Sequence, residues 1–390
     1  MTAGALENSE NVHRQKRFLI GQLGSFGDCL YATTIARQIK VDYPDCHVTW
    51  AIGSIYRSIL DNNPYVDEIW EFRISSTIEI ITRWQQFERE VIERKNRGDF
   101  DEVYLTQVCP NNLKNFDGTT RSSILRAYNK PITVPVSPVL RLLPAEVENV
   151  RLFAKSHHLG ERKHVILFEC SPKSGQSSVT PDFALEVSKK IIKKNPDMSI
   201  ILSSNISFNT TDERIIDGSV LSFRENAELT KYCTLLVGCS SGISWLCTSD
   251  WAKPLPMVQL LSGELCMYAS FVHDHEYFGL ASDSIIEMTE CSVNTLSQCI
   301  EVILTEDFAT ARQKYHERIK VSFRQYAGSI GISLLNGKYE DAIISIGHAT
   351  KRFGSQPTIL FCCFWSIFTH PIYLLYKLLS GRKIHGLLTR

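Results

Sequence analysis

Arg17 to Thr34 reads RFLIGQLGSFGDCLYATT. An apolar run breaks at Gly21, Gly24 and Gly27, an aspartate follows at 28, and the residues beyond it carry helical period. Strand, tight turn and helix in that order open a βαβ unit, so this stretch predicts a parallel sheet. The dinucleotide fingerprint spaces its first two glycines two apart, and these are three apart. They read instead as a strand-to-helix turn that lets a substrate approach the backbone. Asp28 opens the helix, where a carboxylate accepts N–H bonds and meets the positive end of the dipole, an effect of roughly 0.3 to 1 kcal/mol. Two roles are open to it: a helix cap, or a general base facing a cleft, held ionised by the helix N-terminus.

The same alternation continues outward. RFLIGQL, HVTWAIG, VDEIWEF and FDEVYLT are strand candidates, with helical segments over 28–44 and Ser76–Arg97 between them. Prolines at 131, 135, 138 and 144 then interrupt every period and mark a linker. After it come HVILFEC, a helix from Pro181 to Lys194, SIILSSN, a helix near Asn226–Tyr232, TLLVGCS, a helix opening at Ser241, PLPMVQLL, and a helix near Val293–Leu304. The expected fold class is therefore α/β, two Rossmann-like lobes with parallel sheets facing a central cleft, plus a helical C-terminal extension.

Composition bounds the function. A chain of 390 residues is long for one core and suggests two domains; 44% hydrophobic and 22% charged residues are ordinary globular values. Lys+Arg and Asp+Glu balance at 42 each, so there is no basic field for nucleic acid, and none is expected as a partner. The twelve cysteines show no CxxC pair or zinc spacing and read as reduced. The polar start, MTAGALENSENVHRQKR, lacks the apolar region of a secretory signal, which leads to a cytoplasmic expectation.

The C-terminal end changes character. TILFCCFWSIFTHPIYLLY, Thr358 to Tyr376, runs nineteen residues without a formal charge between flanks carrying Lys351, Arg352, Lys377, Arg382, Lys383 and Arg390. A straight helix of that length reaches about 28 Å, barely a bilayer core, and His370 and Pro371 interrupt it. Basic flanks suit a segment lying in the headgroup plane of an anionic membrane, each cation contributing about 1 kcal/mol. The other reading is a buried helix packed across the lobes.

LGSFGDCLYATTIARQIKVDYPDCHVTWAIG followed by NPYVDEIW resembles the opening of the bacterial heptosyltransferase family, glycosyltransferase family 9, with its Leu-Gly-x-x-Gly-Asp turn and later Asn-Pro-x-Val-Asp-Glu. In the second half LTKYCTLLVGCSSGISWLCTSDWAKPLPMV is similar to the family's strand, small-residue turn, helix and Lys-Pro. The resemblance implies a GT-B fold and inverting transfer from a nucleotide-sugar donor, held by the second lobe, to a glycan or glycolipid acceptor held by the first. It implies no metal and no cofactor. Asp28 would be the catalytic base; Gly24, Ser25 and Gly27 would form the acceptor-side turn; Ser240, Ser241 and Gly242, with Lys173, would hold the donor phosphates, the turn supplying two hydroxyls and free N–H groups. The expected divisions are a flexible 1–16, an acceptor lobe 17–143, a nucleotide-sugar lobe 144–305, a helical extension 306–356 and a membrane-associating tail 357–390. The protein would then work on lipopolysaccharide or another surface glycan at the inner face of the membrane.

This chain departs from the family pattern in three places. Ser240-Ser241-Gly242 replaces Asp-Ser/Thr-Gly, Trp245 stands where a histidine usually follows, and Ser178 takes the place of a lysine, leaving Lys173 as the nearest cation. These losses raise a second reading, a catalytically silent glycan- or nucleotide-binding protein on the same scaffold. VHDHEYF reads as a polar loop at the cleft rim, or as a metal pair lacking further ligands. The glycine spacing disfavours an oxidoreductase, and no Gly-x-Ser-x-Gly elbow or Walker loop supports a hydrolase or NTPase.

Overall fold

A computed structural model describes residues 14–110, 112–173, 175–263, 270–289, 292–319, 323–335 and 337–355, with isolated positions 357, 361, 364, 365, 369, 372 and 375. Most of the tail 357–390, and residues 1–13 of the N-terminal segment, lie outside the described residues. β1 (Arg17–Gly21), β2 (His47–Gly53), β3 (Glu68–Phe72) and β4 (Glu102–Leu105) form one sheet in the order β3-β2-β1-β4, parallel throughout. β1 is central, and Phe18, Leu19 and Ile20 are fully buried, as an unalternating apolar strand requires when helices cover both faces.

The crossovers are α1 (Phe26–Asp42) and α2 (Thr77–Asn96), with a 3₁₀ turn over Ser54–Leu60. The sequence placed one apolar face on α1, yet Cys29 to Ile39 are all buried. The proline-rich linker accounts for the difference by lying along the helix and satisfying its polar side chains. Val139 N–H donates to Thr33 Oγ1 at 2.7 Å, Arg37 Nη2 donates to Ser137 O at 2.9 Å, and Gln38 Oε1 accepts from Thr133 and Val134 N–H at 2.7 and 3.0 Å. A helix can be buried all round when each polar group has a partner.

The second sheet has the order β10-β9-β8-β5-β6-β7, again parallel. Its strands are β5 (His164–Glu169), β6 (Met198–Ser203), β7 (Ile215–Asp217), β8 (Leu235–Gly238), β9 (Met257–Leu260) and β10 (Ile285–Met288). The sequence reading had no strand at β7 or β10, which are three and four residues long. The helices after α2 are α3 (Thr120–Arg126), α4 (Pro144–Ser156), α5 (Pro181–Lys194), α6 (Glu225–Leu229), α7 (Gly242–Leu246), α8 (Phe271–Tyr277) and α9 (Val293–Thr305). Prolines open α4 and α5, and Thr180 and Ser292 cap α5 and α9 by accepting from Phe183 and Thr295 N–H.

VHDHEYF is helix α8 and not a loop. His273 and His275 therefore point apart, with His273 Nε2 at 3.0 Å from Ile319 O and His275 Nδ1 at 2.7 Å from Ala281 O. Among the described residues no group of three His, Cys, Asp or Glu side chains is placed to hold a metal ion.

The extension carries α10 (Phe308–Tyr315), α11 (Arg324–Leu335) and α12 (Tyr339–Phe353). α10 packs on α9 and β10, whereas α12 packs on the 3₁₀ turn Asn112–Asn115 of the first lobe, so the chain ends by crossing back. Phe116, Phe323, Tyr326, Ile330 and Ala349 make a small core at this crossing. Arg224 joins the lobes elsewhere: it grips Glu146 through two nitrogens at 2.7 and 2.9 Å and donates to Ser58 O and Asp61 O at 2.8 and 3.1 Å. Among the described residues no helix is long and apolar enough to cross a membrane.

Candidate active site between the lobes

The glycines of the opening turn make room for side chains. A Cβ on Gly21 would lie 2.4 Å from Leu105 Cδ2, and one on Gly24 would lie 2.3 Å from the Tyr56 ring and 2.8 Å from Ile80 Cδ1. Tyr56 cannot retreat, because it is buried and its hydroxyl bonds Thr77 Oγ1 at 2.6 Å. Gly27 faces the other lobe, where a Cβ would meet Trp245 Cδ1 at 3.3 Å. The expectation that these glycines clear space for a substrate is replaced at 21 and 24 by close packing. The turn is held in place by Gln22 and Gln107, whose amides bond each other at 3.0 Å and bond Gly24 O and N at 2.6 and 3.2 Å.

Ser25, and not Asp28, is the N-cap of α1; Asp28 sits in the first turn, three residues on. The carboxylate reaches back to Ser25, whose hydroxyl is 3.5 Å from Asp28 Oδ2 and whose backbone N–H also donates to it. That is one half of a capping box. Burial raises the Asp28 pKa above its ordinary 3.8, against the pull of Arg121 and the Ser25 bonds. The helix terminus therefore fixes the carboxylate, but desolvation outweighs the ionising effect that the sequence reading assigned to it.

Arg121, from α3, is buried beside this carboxylate. Its guanidinium lies 3.9 Å over the Trp245 ring and 3.4 Å from Asp274 Oδ2 on α8. Trp245 in turn stacks on Phe271 at 3.8 Å and meets Tyr31 of α1 edge-on at 5.5 Å. Trp245 thus forms an aromatic clasp between the lobes. The Asp274 carboxylate is also 3.9 Å from Arg352, has no hydrogen bond among the described residues, and has a pKa raised by burial against both cations. The sequence marked Asp274 only as part of VHDHEYF and did not mark Arg121, because the partners of both come from distant segments.

The second-lobe turn meets the first directly. Phe26 and Phe223 rings are 4.4 Å apart, and a Cβ on Gly242 would lie 3.0 Å from Phe223 and 3.2 Å from Phe26 Cβ. The free N–H groups expected of Ser240-Ser241-Gly242 are largely taken. Buried Glu169, at the end of β5, accepts from Cys239 N–H at 2.9 Å and Ile243 N–H at 3.1 Å; Ser240 N–H bonds Gln259 Oε1 at 2.8 Å; Gly242 N–H bonds Ser241 Oγ at 2.7 Å. A carboxylate of the protein itself thus sits at the start of α7. Ser240 has a left-handed φ of 48°, which is strained for a residue with a Cβ. Lys173 is exposed in the loop after β5 and makes no hydrogen bond or ion pair among the described residues. The structure therefore brings Phe26 and Gly27 of the first-lobe turn against Gly242 and Trp245, sets Asp28 beside Arg121, which lies over Trp245, and leaves Lys173 outside that contact.

No protein-family model and no curated protein matches the chain. Among solved structures it is similar to a glycosyl transferase family 9 protein from Veillonella parvula, at 14% identity over 82% of this chain and 98% of that one, with a TM-score of 0.50. It is also similar to E. coli ADP-heptose lps heptosyltransferase II, at 15% identity over 64% of this chain and 85% of that one, with a TM-score of 0.43. For an E. coli heptosyltransferase with ADP the values are 14%, 75%, 99% and 0.41. At this identity the likeness to the Veillonella protein is one of fold. With two parallel sheets, each wrapped by helices, and a C-terminal helix returning to the first lobe, the chain has the GT-B fold of that family 9 structure.

Proposed function

We propose that the protein is an inverting, metal-independent glycosyltransferase. It moves a sugar from a nucleotide-sugar donor on the second lobe to a hydroxyl of a lipopolysaccharide or other surface-glycan acceptor on the first. The observation that carries this reading is the position of Asp28: a carboxylate fixed in the first turn of α1, a helix that packs on α7, beside the Arg121 guanidinium that lies over Trp245, with its pKa raised by burial above the ordinary carboxylate value. Asp28 takes the acceptor proton as the hydroxyl oxygen attacks the anomeric carbon. The bond from that carbon to the diphosphate breaks and nucleoside diphosphate leaves. Because backbone donors at the start of α7 are engaged by Glu169 and Gln259, the diphosphate contacts fall to the Ser241 hydroxyl and Lys173.

The test is nucleoside diphosphate release from a panel of nucleotide sugars with glycan extracts as acceptors, in the presence of a chelator. Turnover with at least one pair is expected. The Glu169 carboxylate supports a second reading, a silent binding protein whose donor turn is internally filled. Calorimetric binding of a nucleoside diphosphate with no turnover on any acceptor would select it.

The acceptor's membrane is reached through the tail. Phe361, Phe364, Trp365, Ile372 and Leu375 are each at least 59% exposed, and their spacing puts them on one helical face. Truncation after Gly354 is expected to move the chain from the membrane fraction to the soluble fraction. An unchanged distribution would remove the tail from membrane attachment.

A further inference from the structure

A cavity of about 830 Å³ opens where the end of α3, helix α8, the segment after α10 and the last turn of α12 meet. Among the described residues, Arg126, Arg318, Lys351 and Arg352 line it, against the single carboxylate of Glu276. Asp117 and Asp274 are outside its wall but hold two of these cations, Asp117 at 3.0 Å from Arg126 and 3.1 Å from Arg352, Asp274 at 3.9 Å from Arg352. Tyr277 completes the frame: its hydroxyl accepts from Arg126 Nη1 at 3.0 Å, and the Arg352 guanidinium lies 4.3 Å over its ring. The two guanidiniums are therefore fixed before any ligand arrives.

The other two cations are available. Arg318 clasps Glu276 fork to fork at 2.6 and 2.9 Å, but the pair is exposed at 65% and 41%, where such bridges contribute little and exchange readily. Lys351 is exposed and has no hydrogen bond or ion pair among the described residues. Asp117, Asp274 and Glu276 balance part of this charge, and Lys351, with Arg318 on its exposed pair, leaves positive charge facing the open side of the cavity. Fixed guanidinium charges at the base of the cavity, with the Arg318 and Lys351 side chains at its exposed side, suit a phosphate, and the volume is that of a small-molecule site. The cavity shares no residue with the Asp28 turn and adjoins the start of the tail.

We propose that this cavity binds a multiply charged phosphate-bearing anion, supplied either as a soluble pyrophosphate-like ester or as the phosphate headgroup of a lipid. Two arms distinguish the sources, using the full chain with Lys351→Glu beside wild type and Arg318→Ala as a second reporter. Calorimetry with inorganic pyrophosphate is one arm. Cosedimentation with phosphatidylcholine vesicles, with and without phosphatidic acid, is the other. Each substitution is expected to weaken binding about tenfold, the scale of one lost charge-assisted hydrogen bond. A loss in the pyrophosphate arm alone assigns a soluble ester, and a loss in the phosphatidic acid increment alone assigns a headgroup. Binding that is absent in both arms, or that neither substitution weakens, overturns the proposal.

Discussion

Asp28→Asn is expected to lower turnover by roughly 10²- to 10⁴-fold, the usual contribution of a general base, while nucleotide binding persists. The substitution keeps the shape and the hydrogen bonds toward Ser25 but removes proton affinity. In the wild type the base works only when ionised, and burial raises its pKa above 3.8. Activity should therefore fall as pH drops through that raised value, and the residual activity of the variant should lack this limb. Stability should move the other way. A carboxylate whose folded pKa exceeds its unfolded pKa binds more protons when folded, so its contribution to stability declines as pH rises from the unfolded value through the folded one. The amide escapes that penalty, and Asp274 still faces Arg121. The variant should thus melt no lower than wild type at neutral pH. Full activity in the variant would remove Asp28 as the base, and a joint loss of activity and melting temperature would mark it as structural.

Much of this site was legible in the amino-acid order. β1, the turn and α1 were read from an apolar run that ends in glycines and an aspartate, because a strand buried on both faces cannot hide its composition. The resemblance at LGSFGD and NPYVDEIW led to the same two-lobed fold that the structure shows. What stayed hidden depends on distant partners. Glu169 ends an apolar strand, and only the fold places its carboxylate under Cys239 and Ile243 N–H. α8 reads as polar because Asp274 is buried by Arg121 and Arg352 and not by apolar neighbours. Trp245 stands where the resembled family usually has a histidine, and its stacking on Phe271 and Arg121 shows what the indole does at that position.

Arg352→Met should be the most destabilising single change at the junction of the lobes and the extension. The side chain is 7% exposed in the last turn of α12, where the helix dipole also favours a cation. It donates to Asp117 Oδ2, Thr119 Oγ1 and Ser122 Oγ of the first lobe and to His273 O of the second, and it lies 3.9 Å from Asp274. Methionine fills similar volume and leaves two buried carboxylates with one arginine each, Arg126 for Asp117 and Arg121 for Asp274. Removing one member of a buried ionic cluster costs about 3 to 5 kcal/mol. The pH dependence separates this from lost packing. Burial works to raise the Asp117 pKa, but Arg126, Arg352 and the Thr119 bonds together hold it below 3.8. Its stabilising contribution is therefore present above the unfolded pKa and lost as pH falls through the folded one. Without Arg352 that contribution shrinks, while Asp274, already raised by burial, shifts further up. Both effects are greatest when the carboxylates are ionised, so the deficit in melting temperature should be large at neutral pH, narrow first as pH falls through the raised Asp274 value, and narrow further only below 3.8, where Asp117 protonates. Arg352→Lys, which restores charge without the fork, should recover part of it. A deficit that stays constant across this range, or a lysine variant no better than methionine, would reduce Arg352 to a packing residue.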